Sequence, residues 1–194
     1  QDARLLLGLA LGRDDAVLPH EDINSWTNDI DSLFQTYIQR RLAGEPVSRI
    51  RGWREFWSLS FELSAATLDP RPDSEILVEQ AIAFGRDHPG VASKENLRLL
   101  DMGTGSGCLL LACLSELTMA TGVGIDINPD AIKMAAQNAR VLGLDDRAVF
   151  SVADFTTSLK RLGCFDIIFS NPPYIPSAQI STLSSEVALH DPLP

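Results

Sequence analysis

A chain of 194 residues with 45% hydrophobic content is long enough to bury a core, as one domain or as one domain plus a small appendage. Its net charge of −10 argues against a partner held mainly through nucleic-acid phosphates. The longest purely apolar run, residues 109–114, is far short of a span, and the N-terminus lacks a basic region followed by an apolar core. No membrane contact and a cytoplasmic location are therefore expected. Cys108, Cys113 and Cys164 form no C-x-x-C pair, which speaks against disulfides and a zinc site, and His20, His88 and His190 are scattered without ligand spacing. No metal is required.

Ala3, Leu6, Leu7, Ala10 and Leu11 recur at helical spacing, and Ile30, Leu33, Phe34, Tyr37, Ile38 and Leu42 do so again. Gly12 and Gly44 follow as stops. Residues 14–28 are polar and broken by Pro19, which predicts loop with some short helix. Arg40, Arg41 and the arginines at 49, 51 and 54 make the one basic cluster, read here as a solvated face rather than a partner surface. From 53 to 68 the pattern changes to Phe56, Leu59, Phe61 and Leu63 with polar residues between, which predicts a pair of short strands. Pro72 fits the first position of a helix running to about Gly85, with Asp73 and Glu75 in its first turn, where negative charge is favoured.

Beyond a polar gap at 91–96 the order becomes strand 97–102, helix 106–117, strand 122–127, helix 129–143, strand 148–153 and a fourth strand around the apolar run Ile167, Ile168, Phe169, ahead of a proline pair. Asn128 reads as the cap of the second of these helices and Pro129 as its first residue. Such alternation implies a parallel sheet with right-handed crossovers, and open α/β sheets bind ligands at the carboxyl ends of their strands.

Four strand ends carry unusual residues. After the first comes Gly103-Thr104-Gly105-Ser106-Gly107, where glycines let a ligand approach the backbone and free N–H groups face it. A dinucleotide fingerprint would want glycine where this chain has Cys108. Asp126 ends the second strand, where a carboxylate can accept both ribose hydroxyls. Asp154 and Phe155 end the third, suited to an adenine amine and an adenine face. Jointly these offer one adenosine site. S-adenosyl-L-methionine fits it better than NAD, because its carboxylate can meet a helix N-terminus and no pyrophosphate needs cradling.

The fourth strand runs into Asn171-Pro172-Pro173-Tyr174. The Asn171 amide both donates and accepts, the prolines have fixed φ and offer carbonyl acceptors, and Tyr174 adds a flat face. Such a set suits a planar group bearing an NH2, either an amide or an exocyclic base amine. Asn-Pro by itself is also a common turn signal.

Several stretches together resemble a known family. Gly-Glu-Pro-Val at 44–47, Arg-Glu-Phe-Trp-Ser-Leu at 54–59, Thr-Leu-Asp-Pro-Arg-Pro-Asp-Ser-Glu at 67–75, the glycine loop at 101–107 and Asn-Pro-Pro-Tyr-Ile at 171–175 are similar to the release-factor glutamine methyltransferases, the PrmC family. The match covers nearly the whole chain, and the segment 67–75 is its narrowest mark. A sibling family that methylates a ribosomal-protein glutamine usually differs there and ranks second.

The resemblance implies an α/β fold: a Rossmann-like S-adenosylmethionine-dependent methyltransferase sheet with a small N-terminal helical domain and a β-hairpin linker. The domains would be 1–52 for substrate recognition, 53–69 for the linker and 70–194 for the methyltransferase. The family's sheet has seven strands, so three C-terminal strands are expected to be missing from these residues. The resemblance also implies methyl transfer to the side-chain nitrogen of the glutamine in the Gly-Gly-Gln loop of a peptide chain release factor. Carried over, Gly103, Thr104, Gly105, Ser106, Gly107, Asp126, Asp154, Phe155 and Asn171 would hold the cofactor. Asn171, Pro172, Pro173 and Tyr174 would hold the glutamine, with Asn171, Pro172 and Tyr174 catalytic. Asp69 stands where the family has an aliphatic residue, a change expected to touch packing rather than chemistry. A monomer without direct nucleic-acid binding is expected. The rivals are an adenine-N6 methyltransferase, which would need a basic, aromatic surface, a non-catalytic cofactor-binding module and, more distantly, an NAD oxidoreductase.

Overall fold

The structure, a computed structural model, describes residues 1–23, 26–88, 96–157 and 159–171. These residues fall into two compact units, 1–52 and 53–171. No helix among them is long and apolar enough to cross a membrane.

The first unit is helical. α1 (Asp2–Ala10) buries Leu6 and Ala10, while α2 (Asn28–Leu42) is capped by Thr27, whose hydroxyl accepts from Ile30 N at 3.3 Å. No helix forms among the described residues of 14–27, where short helix was expected. Instead a short α3 (Val47–Arg51) follows Pro46, whose fixed φ suits the entry, and ends at Gly52, whose φ of 79° is left-handed. Five residues are too few to show a period, so this helix has no sequence signature. The basic cluster is used within the protein. Arg40 pairs with Glu45, Arg41 with Asp2 at 2.8 Å, and Arg51 donates to the Asp14 carbonyl at 2.8 Å.

The second unit opens with a hairpin, β1 (Trp53–Phe56) against β2 (Leu59–Glu62), joined by a two-residue turn. Trp57 and Ser58 both have left-handed φ, 54° and 56°, as a type I′ turn needs, although neither is the usual Asn or Gly. The Glu75 carboxylate accepts from Trp57 N at 3.0 Å, and the Glu116 carboxylate accepts from the indole N–H at 3.2 Å. Phe56 and Phe61 cross edge to face inside the core. Pro72 opens a 3-10 turn (Pro72–Ser74) rather than the α-helix itself, and α4 (Glu75–Asp87) runs two residues past the expected stop.

Four parallel strands follow in the spatial order β5-β4-β3-β6: β3 (Arg98–Met102), β4 (Thr121–Asp126), β5 (Ala148–Val152) and β6 (Ile167–Ser170). α5 (Cys108–Glu116) links β3 to β4, and α6 (Pro129–Val141) links β4 to β5. α5 starts two residues later than expected because Gly107, at φ 81°, is its cap and cannot be helical. Its residues 109–114 are all buried, which suits a helix enclosed on every side. α5 lies close to the sheet because β4 has a glycine there: a Cβ on Gly122 would come within 2.4 Å of Leu110 Cδ1. Burying a leucine such as Leu110, fully inaccessible here, is worth about 2 kcal/mol. α6 begins as the sequence predicts, with Asn128 Oδ1 accepting from Asp130 N at 2.9 Å.

Candidate active site

At the carboxyl end of β3 the chain turns through three left-handed glycines, Gly103 (φ 78°), Gly105 (φ 55°) and Gly107 (φ 81°), which explains the alternate spacing of the motif. The loop's N–H groups do not face outward as expected. Gly103 N and Thr104 N donate to the Ile125 carbonyl at 2.8 and 2.9 Å, Gly107 N donates to the Thr104 carbonyl at 2.8 Å, and Gly105 N donates to Asp126 Oδ2 at 3.0 Å. The amides are spent largely on β4 because the turn wraps over the end of that strand. A loop built this way has little left to offer a pyrophosphate.

Asp126 is fixed by the same arrangement. Its second oxygen accepts from Asn128 N at 2.9 Å, so each carboxylate oxygen holds one backbone N–H and keeps a lone pair for a hydroxyl donor. Next door, Ala153 N donates to the Asp126 carbonyl, which brings the ends of β4 and β5 together. Asp154 lies just beyond, and its Oδ1 accepts from Thr156 N at 2.8 Å and Thr156 Oγ1 at 2.7 Å. Those hydrogen bonds hold the half-buried Asp154 carboxyl below the usual carboxylate range. Its visible duty is to shape the turn that carries Phe155, which is 40% exposed.

A cleft open to solvent is lined by Gly103, Thr104, Gly105 and Ser106 together with Leu68, Asp69, Pro70, Arg71, Ser74 and Asn171. It joins the glycine loop to Asn171 but does not include Asp126, Asp154 or Phe155. Asn171 Nδ2 donates to Ser74 Oγ at 2.8 Å, which orients the amide and leaves its oxygen to accept. Pro172, Pro173 and Tyr174 lie outside the described residues. Asp69 is 2% exposed, bonded at 3.0 Å by Arg54 and part of the lining of the cleft.

Sequence reasoning assigns no role to Asp101, Ser74 or Asn138. Asp101 is fully buried under the glycine loop, where Thr104 Oγ1 donates to its Oδ2 at 2.7 Å, while Oδ1 has no hydrogen-bond partner among the described residues. Burial pushes its carboxyl up to about 7, against the Thr104 bond and with help from the Asp126 charge. Burial likewise pushes the Cys108 and Cys113 thiols up to about 12, which leaves them unreactive. Asp101 opens the glycine motif and so carries a positional signal. Ser74 and Asn138 carry none, because their partners are distant in sequence.

A parallel sheet with a glycine turn after its first strand and a carboxylate after its second is an arrangement that methyltransferase domains share with dinucleotide-binding ones, and the methyltransferase family is the one whose model matches. That family's model matches residues 93–191, and the model of the PrmC N-terminal domain matches 1–52. The chain belongs to the methyltransferase family, and it is similar to proteins named release factor glutamine methyltransferase. It is 48% identical to the protein of that name from Bradyrhizobium diazoefficiens, over 98% of this chain and 63% of that one. It is 47% identical to the Rhodospirillum rubrum protein, over 99% and 56%. With the Agrobacterium fabrum protein it shares 43%, over 99% and 65%. The chain thus spans about three-fifths of the length of these curated relatives.

S-adenosyl-L-methionine is the methyl donor of this class, and the residues present fit it. A Cβ on Gly105 would meet no described atom within 4 Å, so the loop fronts open space, and the Asp126 carboxylate keeps acceptor capacity for hydroxyls.

Proposed function

We propose that this chain carries the cofactor site and part of the substrate site of an enzyme that methylates the side-chain amide nitrogen of the glutamine in the Gly-Gly-Gln loop of peptide chain release factors. The observation that carries the reading is the placement of Asn171 on the same cleft as the glycine loop, its amide fixed by Ser74 with one oxygen left to accept. The names of the relatives supply the substrate.

In this reading Gly103, Thr104, Gly105, Ser106, Gly107 and Asp126 hold the cofactor, with Asp154 and Phe155 at its adenine end. The bound cofactor supplies an electrophilic methyl group on a sulfonium with a neutral leaving group. Asn171 Oδ1 accepts one N–H of the glutamine amide, and the Pro172 carbonyl accepts the other. A carboxamide nitrogen is a poor nucleophile because its lone pair is delocalised into the carbonyl. Two acceptors on its hydrogens favour charge building on nitrogen as transfer proceeds, one N–H proton passes to solvent as the neutral methylamide forms, and holding the nitrogen in line supplies much of the rate. Pro173 and Tyr174 complete the seat for the planar amide. Residues 1–52 act as the recognition domain, 53–69 as the linker and 70–194 as the methyltransferase domain. The acidic total supports a protein substrate without direct nucleic-acid contact, and the enzyme acts as a cytoplasmic monomer.

The test is Asn171→Ala, with label transfer from S-adenosylmethionine to a purified release factor measured beside calorimetric binding of S-adenosylhomocysteine. Transfer is expected to fall about a hundredfold or more while binding changes less than about threefold, in keeping with loss of a transition-state contact. Equal losses in both would remove the substrate role of Asn171.

A further inference from the structure

Asn138 lies in the last turn of α6, 1% exposed, a polar side chain where the helix faces the core. Its amide is fully used. Oδ1 accepts from Glu62 N at 2.9 Å, and Nδ2 donates to the Glu62 carbonyl at 3.1 Å and to the Ser106 carbonyl at 2.9 Å. Toward the hairpin it acts as an extra strand, bonding both backbone groups of one residue on the outer edge of β2. Toward the sheet it holds the glycine loop. No other side chain of this size offers one acceptor and two donors in a plane, so a carboxylate there would set an oxygen against two carbonyls.

The hairpin has a second tie to the cleft. Arg54 on β1 donates at 3.0 Å to Asp69, which lines the same cleft as the glycine loop. The path from Ser106 through Asn138, Glu62, the β1–β2 pairing and Arg54 to Asp69 therefore links two segments that line the cleft.

From this we infer that Asn138 is a positioning residue that couples occupancy of the cofactor cleft to the seating of the β1–β2 hairpin. The inference rests on the cleft being the cofactor site, as proposed above. A ligand filling the cleft fixes the glycine loop and the Asp69 wall, and the Asn138 amide transmits that restraint to Glu62. The hairpin is then held more firmly in the loaded enzyme than in the empty one.

Hydrogen exchange of the Glu62 amide, with and without saturating S-adenosylhomocysteine, tests this. The rate is measured relative to the Val78 amide in α4, a fully buried position that reports global stabilisation by the ligand. In the wild-type protein the ligand is expected to slow Glu62 about fivefold or more beyond its effect on Val78. In Asn138→Ala, at ligand concentrations raised to saturation, that excess slowing disappears and the dissociation constant rises about tenfold. Ile82→Val, a core change in α4, supplies a destabilised comparison and keeps the excess slowing. An excess that persists in Asn138→Ala, is absent from the wild type or is lost equally in Ile82→Val overturns the inference while leaving the cofactor site standing. No binding of S-adenosylhomocysteine by the wild-type protein overturns both.

Discussion

Replacing Asp101 by Asn should change how stability depends on pH. In the unfolded chain this carboxyl ionises at its ordinary value of 3.8, while in the folded protein burial raises it to about 7. Below the lower value both states are protonated and folding is not penalised. Between the two the folded protein holds a proton that the unfolded chain has released, so stability falls as pH rises, and above about 7 the loss is complete. A shift of that size corresponds to about 4 kcal/mol in all. Asn keeps an oxygen for the Thr104 hydroxyl but puts an NH2 where Oδ1 has no partner among the described residues, a pH-independent cost of about 1–3 kcal/mol.

The assay is urea unfolding of both proteins from about pH 5.5 to 8.5, above the sequence isoelectric point of 4.6. Over that range the wild type should lose about 2 kcal/mol relative to Asp101→Asn, the other 25 acidic groups cancelling in the difference because the sequence has 26 in all. Parallel curves for the two proteins would refute the reasoning and mean that Asp101 is ionised in the fold throughout.

Smaller effects are expected at two glycines and one turn residue. Gly124→Ala places a Cβ within 2.6 Å of Phe150 Cδ1 and 2.8 Å of Thr104 Oγ1, so urea unfolding should show a loss of about 2–3 kcal/mol and weakened S-adenosylhomocysteine binding. Gly105→Ala meets no described atom but must adopt φ +55°, so its stability should fall by only about 1–2 kcal/mol. Ser58→Gly relieves a left-handed exposed residue in the hairpin turn and should raise the melting temperature by about 2–4 °C, read by calorimetry.

Much of the sheet is legible in the sequence because its strands and helices alternate with clear periods and strong punctuation. Asn128-Pro129 marks the start of α6, and Gly12 and Gly44 follow the first two helices. Boundaries slip where one backbone angle decides them: Gly107 delays α5, and Pro72 enters through a 3-10 turn. α3 escapes notice because five residues carry no period.

The site is legible as residue types at strand ends and illegible as hydrogen bonds. Nothing local says that the glycine-loop amides are spent on Ile125 and Asp126, or that Asn171 meets Ser74 across 97 residues. Asn138 looks like one more polar residue of an amphipathic helix until β2 is seen beside it. The sequence suggests ligand chemistry for Asp154, whereas the contact the structure gives it is to its own turn.

The most direct test is to incubate the protein, both as these 194 residues and extended to the length of its relatives, with labelled S-adenosylmethionine and a purified release factor. A parallel reaction uses a release factor whose loop glutamine is replaced, and peptide mass locates the label. The account predicts one methyl group on the Gly-Gly-Gln glutamine and none on the replaced copy. Label on another residue in both copies, or on neither copy with either length of chain, would contradict it.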